Sequence, residues 1–281
     1  MTRRLGWVLA AVVTLLPMRA AADEVDDAFA RGNAAAVKGD WAAAVQAYAH
    51  AERVLPEPSA MLDYNLGTAY LHTGDLGRAT LHLMRAQQFT GGPTADVLEA
   101  ARYNLQAARQ RAELSAAASD AKIDRADGWW DLLLEALRAP GVGWLSLVSG
   151  WVALGLLWVH RRRRRRSQPT AVTGVGLLVL TLCYLVPGVL HGLALREDRI
   201  SPQAVVVAPR VDVREGPGNH RKIQFAAQGG SRVRIVERTA GWQRIRLSGG
   251  LGGWVPEDTV APVKAAARRG APPRPAGEPP G

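Results

Sequence analysis

Cysteine is all but absent: Cys183 is the only one in 281 residues. A single thiol excludes an internal disulfide framework and any zinc site built on clustered cysteines. The six histidines show no metal-ligand spacing, and His220 stands alone in a loop without a Cys or Ser nucleophile beside it. No phosphate-binding glycine loop is present either. Neither an enzyme nor a cofactor is expected from such an inventory. Evenly spread charge is also missing. Residues 23–140 carry 11 basic and 17 acidic side chains, a net of −6, whereas 203–281 carry 13 and 6, a net of +7. Six further cations form one run, Arg161, Arg162, Arg163, Arg164, Arg165 and Arg166. The overall +10 is therefore not one basic surface of the nucleic-acid-binding kind, and no nucleic-acid partner is expected.

What is present is segmented. Residues 1–22 have the form of a secretory signal peptide: Arg3 and Arg4, an apolar run from Leu5 to Leu16, Pro17, then Ala20-Ala21-Ala22. About a dozen apolar residues span about 18 Å as a helix, short of a bilayer core of about 30 Å. Gly141–Val159 and Ala171–Leu195, 19 and 25 residues without a charge apart from His191, are long enough to cross one. The arginine run lies between them in a segment, 160–170, expected to be a tight loop at a membrane surface. Positive-inside bias puts it in the cytoplasm, and both flanking regions then lie outside it. Residues 119–140 are a linker followed by an amphipathic stretch, Gly128-Trp129-Trp130-Asp131-Leu132, suited to the headgroup zone. His191 and Cys183 lie within the second apolar segment, but no second ionisable group lies deep in either, so an ion path is not expected.

Between 23 and 118 two segments repeat at a 35-residue offset. Gly32, Ala34, Gly39-Asp40-Trp41, Ala44, Tyr48 and Ala51 align with Gly67, Ala69, Gly74-Asp75-Leu76, Ala79, Leu83 and Ala86. Each reads as helix, Gly-Asp turn, helix, with small residues where the helices approach. Thr94 is the expected N-cap of a third unit. These residues, with Leu66-Gly67-Thr68-Ala69-Tyr70 and Pro56, resemble the tetratricopeptide repeat. The resemblance implies a concave protein-binding groove lined by Phe29, Asn33, Tyr64, Asn65, Thr68, His72 and Asn104. Asn33 and Asn65 match the asparagines of the family's carboxylate clamp, but its basic positions hold Phe29, Ala100 and Asn104, so a chaperone-tail clamp is not expected. Inter-helix hydrogen bonding is the other role open to the asparagines.

From 203 to 262 the period changes to two. Val211-Asp212-Val213-Arg214, Val233-Arg234-Ile235 and Ile245-Arg246-Leu247 alternate, and Gly-rich turns separate them. Five or six short strands are expected. The string Val211, Val213-Arg214, Gly216-Pro217, Gly230, Gly241-Trp242, Gly253-Trp254-Val255 resembles a bacterial SH3 domain. Phe225, Trp242 and Trp254 are its candidate surface aromatics, although both tryptophans also suit strand packing. Residues 263–281, rich in Pro, Gly, Ala and Arg, read as a disordered tail.

The expected fold class is thus multidomain: an all-α repeat region, a two-helix transmembrane hairpin and an all-β SH3-like barrel. This order of parts resembles the BatE proteins of bacterial aerotolerance (Bat) gene clusters, which also encode von Willebrand A-type membrane proteins and a MoxR-type ATPase. The resemblance implies a non-enzymatic adaptor of the bacterial inner membrane, with both terminal domains periplasmic and envelope proteins and membrane lipid as partners. The alternative is a cell-envelope anchor whose SH3-like domain grips peptidoglycan.

Overall fold

The computed structural model describes residues 23–55, 57–89, 93–124, 136–137 and 139–264. The signal segment, Pro56, the Trp129-Trp130 stretch and all but the start of the C-terminal tail lie outside the described residues. The described chain forms two compact units. One joins the N-terminal helices to the C-terminal sheet, and the other lies between Arg125 and Pro202.

In the first unit, α1 (23–37) and α2 (Trp41–Val54) form one antiparallel pair. Helices α3 (Ala60–Thr73) and α4 (Leu76–Gln87) form the next, and α5 (Ala95–Ser119) closes the row. Both Gly-Asp turns are built alike. Gly39 and Gly74 sit at φ +76° and +84°, in the left-handed region that glycine enters without penalty. The following Asp40 and Asp75 accept the amide hydrogens of Ala43 and Arg78, each at 3.0 Å, and so cap α2 and α4. Thr94 caps α5 as expected, accepting from the Val97 amide at 3.5 Å. The 35-residue offset recurs in the packing. A Cβ on Gly32 would lie 2.4 Å from the Tyr48 ring, and one on Gly67 would lie 2.6 Å from Cγ of Leu83. Small residues therefore let each helix pair close onto its large partner. Around these contacts Ala28, Ala44, Tyr48, Leu62, Leu66 and Ala69 form one core and Leu83, Ala86 and Ala101 another.

The sheet has seven strands, in the order β3-β2-β6-β5-β4-β1-β7, all antiparallel. The strands are β1 (Gln203–Val206), β2 (Arg210–Arg214), β3 (Ile223–Gln228), β4 (Arg232–Thr239), β5 (Trp242–Leu247), β6 (Gly252–Pro256) and β7 (Val260–Pro262). Val211, Val213, Val233, Ile235, Ile245, Leu247 and Val255 point to one side and fill its core with Ala204, Val206 and Val260. The count exceeds the expected five or six because β1 does not alternate. Ala204, Val205 and Val206 are all buried, since the strand is covered on both faces.

What covers the outer face of β1 is the helical row. By sequence 23–118 and 203–262 are separate domains, yet Val205 and Val263 pack with Leu81 and Met84 of α4. Arg85 donates to the carbonyls of Pro262 and Val263 at 3.1 and 3.2 Å. After α5 the chain runs along the sheet: the Lys122 amide donates to the Ala226 carbonyl at 2.7 Å, and the Gln228 amide to Lys122 at 2.9 Å. Asp124, 3% exposed, ends this strap. It accepts from the backbone amide of Arg232 at 2.9 Å and from its Nε at 2.8 Å, with Arg109 Nη2 at 3.5 Å. Residues 120–124, a linker by sequence, are thus a strap anchored to the edge of the sheet at Lys122 and Asp124.

The second unit is a helical hairpin, α6 (Pro140–Arg165) and α7 (Ala171–Ile200). Both helices are long and apolar enough to cross a membrane, and few of their side chains are buried within the protein. At 1.5 Å per residue they reach about 39 and 45 Å. They close where Gly150 meets the Tyr184 ring and Gly188 meets Ser146. One expectation is corrected here. Arg161–Arg165 belong to the last turns of α6 and not to a loop; only residues 166–170 make the turn. Cations at a helix C-terminus are favoured by the macrodipole, so the helix continues through them. The Arg162 guanidinium also lies 5.4 Å from the Trp158 ring centroid. Pro187 is accommodated within α7, and His191 Nδ1 lies 2.7 Å from the Leu137 carbonyl oxygen.

Candidate binding surfaces

The residues expected to line a helical groove divide into three groups. Asn33, Asn65, Thr68 and Asn104 form a polar line across α1, α3 and α5. Asn33 Oδ1 accepts from the Tyr48 hydroxyl at 2.7 Å and from Asn65 Nδ2 at 3.4 Å. Asn104 Nδ2 donates to Thr68 Oγ1 at 2.9 Å, and that hydroxyl donates to the Tyr64 carbonyl at 2.9 Å. These bonds tie the first helices of successive units together, which is the inter-helix role open to the asparagines. Burial raises the Tyr48 hydroxyl pKa, so it stays protonated and donating through the physiological range.

Tyr64 and Asn104 also line a pocket of about 400 Å³ with Asp96, Glu99, Ala100 and Tyr103. Its rim is acidic, and Tyr103 is 74% exposed. Asp96 and Tyr103 are not among the expected groove residues, although Tyr103-Asn104-Leu105 on α5 echoes Tyr64-Asn65-Leu66 on α3. Phe29 and His72 stand apart. Phe29 packs into the first helical core, its ring 5.7 Å from that of Tyr48. His72 stacks flat on Trp41, with ring centroids 3.8 Å apart, and covers the start of α2.

On the sheet, the three candidate aromatics are also unequal. Phe225 packs against the sheet core. Trp254 is 9% exposed and Trp242 is half-buried. Because Ile245 and Leu247 point into the core, Trp242, Arg244 and Arg246 occupy the opposite face of β5. Register then sets Trp254 beside Arg214 on one neighbour and Arg244 on the other, and Trp242 beside Pro256. Arg246 faces Arg234 across the β4–β5 ladder. Arg244 in turn faces Glu237 of β4, with Nη1 and Oε2 3.8 Å apart, so the face carries an ion pair beside its tryptophans.

A third cluster was invisible to spacing. Glu52 on α2, Asp63 on α3 and His82 on α4 bring one ligand-type atom each to within 4.8 Å of one another. Asp63 and His82 are buried at 8% and 5% exposure, with Oδ1 and Nδ1 2.8 Å apart.

No curated protein and no solved structure matches the chain. Residues 209–261, from the turn before β2 into β7, match the bacterial SH3 domain family, so the chain carries a bacterial SH3 domain over that part of its sheet.

Proposed function

We propose that the chain is a non-enzymatic adaptor of the bacterial inner membrane, holding a tetratricopeptide-like row of helices and the SH3 domain on its periplasmic side. One observation carries this proposal. Residues 23–124 and 203–264 belong to one compact unit, yet two long apolar helices separate them in the chain. Two crossings return a chain to the side it left, so a hairpin of spans is the arrangement that lets both parts meet. The turn end of that hairpin then lies across the membrane, and the six arginines fall there, in the last turns of α6 and at the first residue of the turn. The SH3 match supports a binding role at the cell envelope. The order of parts supports a place beside von Willebrand A-type and MoxR-type partners, as in the BatE proteins.

The helical pocket is the proposed docking point for a protein segment, because it combines an exposed tyrosine, a half-buried one and the carboxylates of Asp96 and Glu99. Deleting residues 25–118 would strip the cover from β1, so point variants are the better test. Tyr64→Ala with Tyr103→Ala in the full chain is expected to weaken recovery of the co-purifying membrane protein roughly tenfold, the effect of losing an aromatic anchor. Unchanged recovery in pull-downs from detergent extracts would remove the groove from the account.

The arginine and tryptophan face of β5 and β6 favours a second reading, an envelope anchor that grips anionic peptidoglycan. Sedimentation of the full chain with purified sacculi decides it. Binding that survives Arg244→Glu with Arg246→Glu at low salt counts against that face.

A further inference from the structure

We propose that Glu52, Asp63 and His82 bind a divalent transition-metal ion of the zinc class and so pin α2, α3 and α4 together. The three side chains come from three successive helices, and their ligand-type atoms already lie within 4.8 Å of one another. A tetrahedral zinc with bonds of about 2.0–2.1 Å sets its ligand atoms about 3.4 Å apart. The 2.8 Å Asp63–His82 contact and the outer separation of up to 4.8 Å bracket that spacing, so changes in separation of about 1.4 Å or less complete the set.

Electrostatics argue in the same direction. Two carboxylates this close, with a neutral imidazole beside them, present a donor set that a divalent cation can bind. Arg85 is the neighbouring cation, with Nη1 3.6 Å from Glu52, but its guanidinium is held by the carbonyls of Pro262 and Val263. It is placed to orient Glu52 from outside, as the outer partners of metal carboxylates do. The His82 ring is itself fixed by stacking on Tyr70, at 5.6 Å between centroids, so an imidazole nitrogen is presented to the pocket with little freedom to turn away. One imidazole with two carboxylates suits zinc and its transition-metal neighbours, whereas magnesium and calcium prefer oxygen ligands throughout. With both inner ligands buried, the metal would be structural, bracing the helical row.

The test uses the full chain in detergent, treated with a chelator and titrated with zinc chloride by calorimetry. The expected result is one saturable site per chain, weakened at least tenfold by Glu52→Gln and by His82→Gln, and not displaced by a hundredfold excess of magnesium or calcium. X-ray absorption at the zinc edge should report one imidazole and otherwise oxygen donors. Glu52 is only part-buried, so Glu52→Gln leaves the fold intact and decides the matter if His82→Gln does not fold. The absence of saturable zinc binding overturns the proposal, as does binding that Glu52→Gln leaves unchanged. Neither result bears on adaptor function, which rests on other residues.

Discussion

Asp124→Ala is expected to destabilise the helix–sheet unit by about 3 kcal/mol, near the lower end of the cost of breaking a buried ion pair. The carboxylate is 3% exposed and carries three contacts: the Arg232 amide, the Arg232 guanidinium and, more distantly, Arg109. Its removal leaves the amide at the start of β4 without its acceptor, and takes from both guanidinium groups the carboxylate they share. Both arginine side chains keep a little over a quarter of their surface in water, which holds the loss below the upper limit of about 5 kcal/mol. Hydrogen exchange on the full chain should show the loss most strongly along 119–124 and β4. Asp124→Asn should fall between the two, because an amide oxygen still accepts from the Arg232 backbone. A variant no less stable than the parent would mean that the strap is an accessory and not an anchor.

Gly77→Ala should separate the two halves of the unit. Gly77 lies in the first turn of α4, where a Cβ would stand 2.5 Å from the Val207 carbonyl oxygen and 2.8 Å from that of Val206. Both obstacles are backbone, so no rotamer change relieves them and α4 must move as a body. The expected cost is about 2–3 kcal/mol, the upper part of the range for overpacked sites. Faster exchange should appear in α4 and β1 together, since Leu81, Met84, Val205 and Val263 share one core. Gly155→Ala is the matched control: a Cβ there meets nothing within 4 Å. If Gly77→Ala exchanges like the parent, the helices and the sheet are not as tightly joined as described.

These two sites mark the boundary of what was legible. The Gly-Asp turns could be read because turn chemistry is local: a left-handed glycine followed by a capping aspartate leaves the same signature 35 residues apart. Strands β2, β4 and β5 could be read from alternation, and the apolar helices from length alone. Asp124 could not, since its partner Arg232 lies 108 residues further on and nothing in the strap's composition marks it. The same holds for Glu52, Asp63 and His82, whose proximity is created by stacking three helices and not by any spacing. The arginine run misled in a different way. Charge density suggests a solvated loop, whereas arginine is a good helix former and gains from the negative end of α6. The groove residues split for a related reason. A repeat pattern identifies positions on a helix, but Phe29 and His72 found partners in Tyr48 and Trp41 that the pattern does not specify.

We propose that residues 23–124 and 203–264 share one side of a membrane while the arginine-bearing end of α6 and the turn after it occupy the other. Single cysteines report this directly. With Cys183→Ser as background, Gln110→Cys and Gln168→Cys are placed at exposed positions on α5 and in the α6–α7 turn. In intact spheroplasts a membrane-impermeant maleimide should label Gln110→Cys at once and Gln168→Cys only after permeabilisation. Labelling of Gln168→Cys from outside, or protection of Gln110→Cys, would contradict the account.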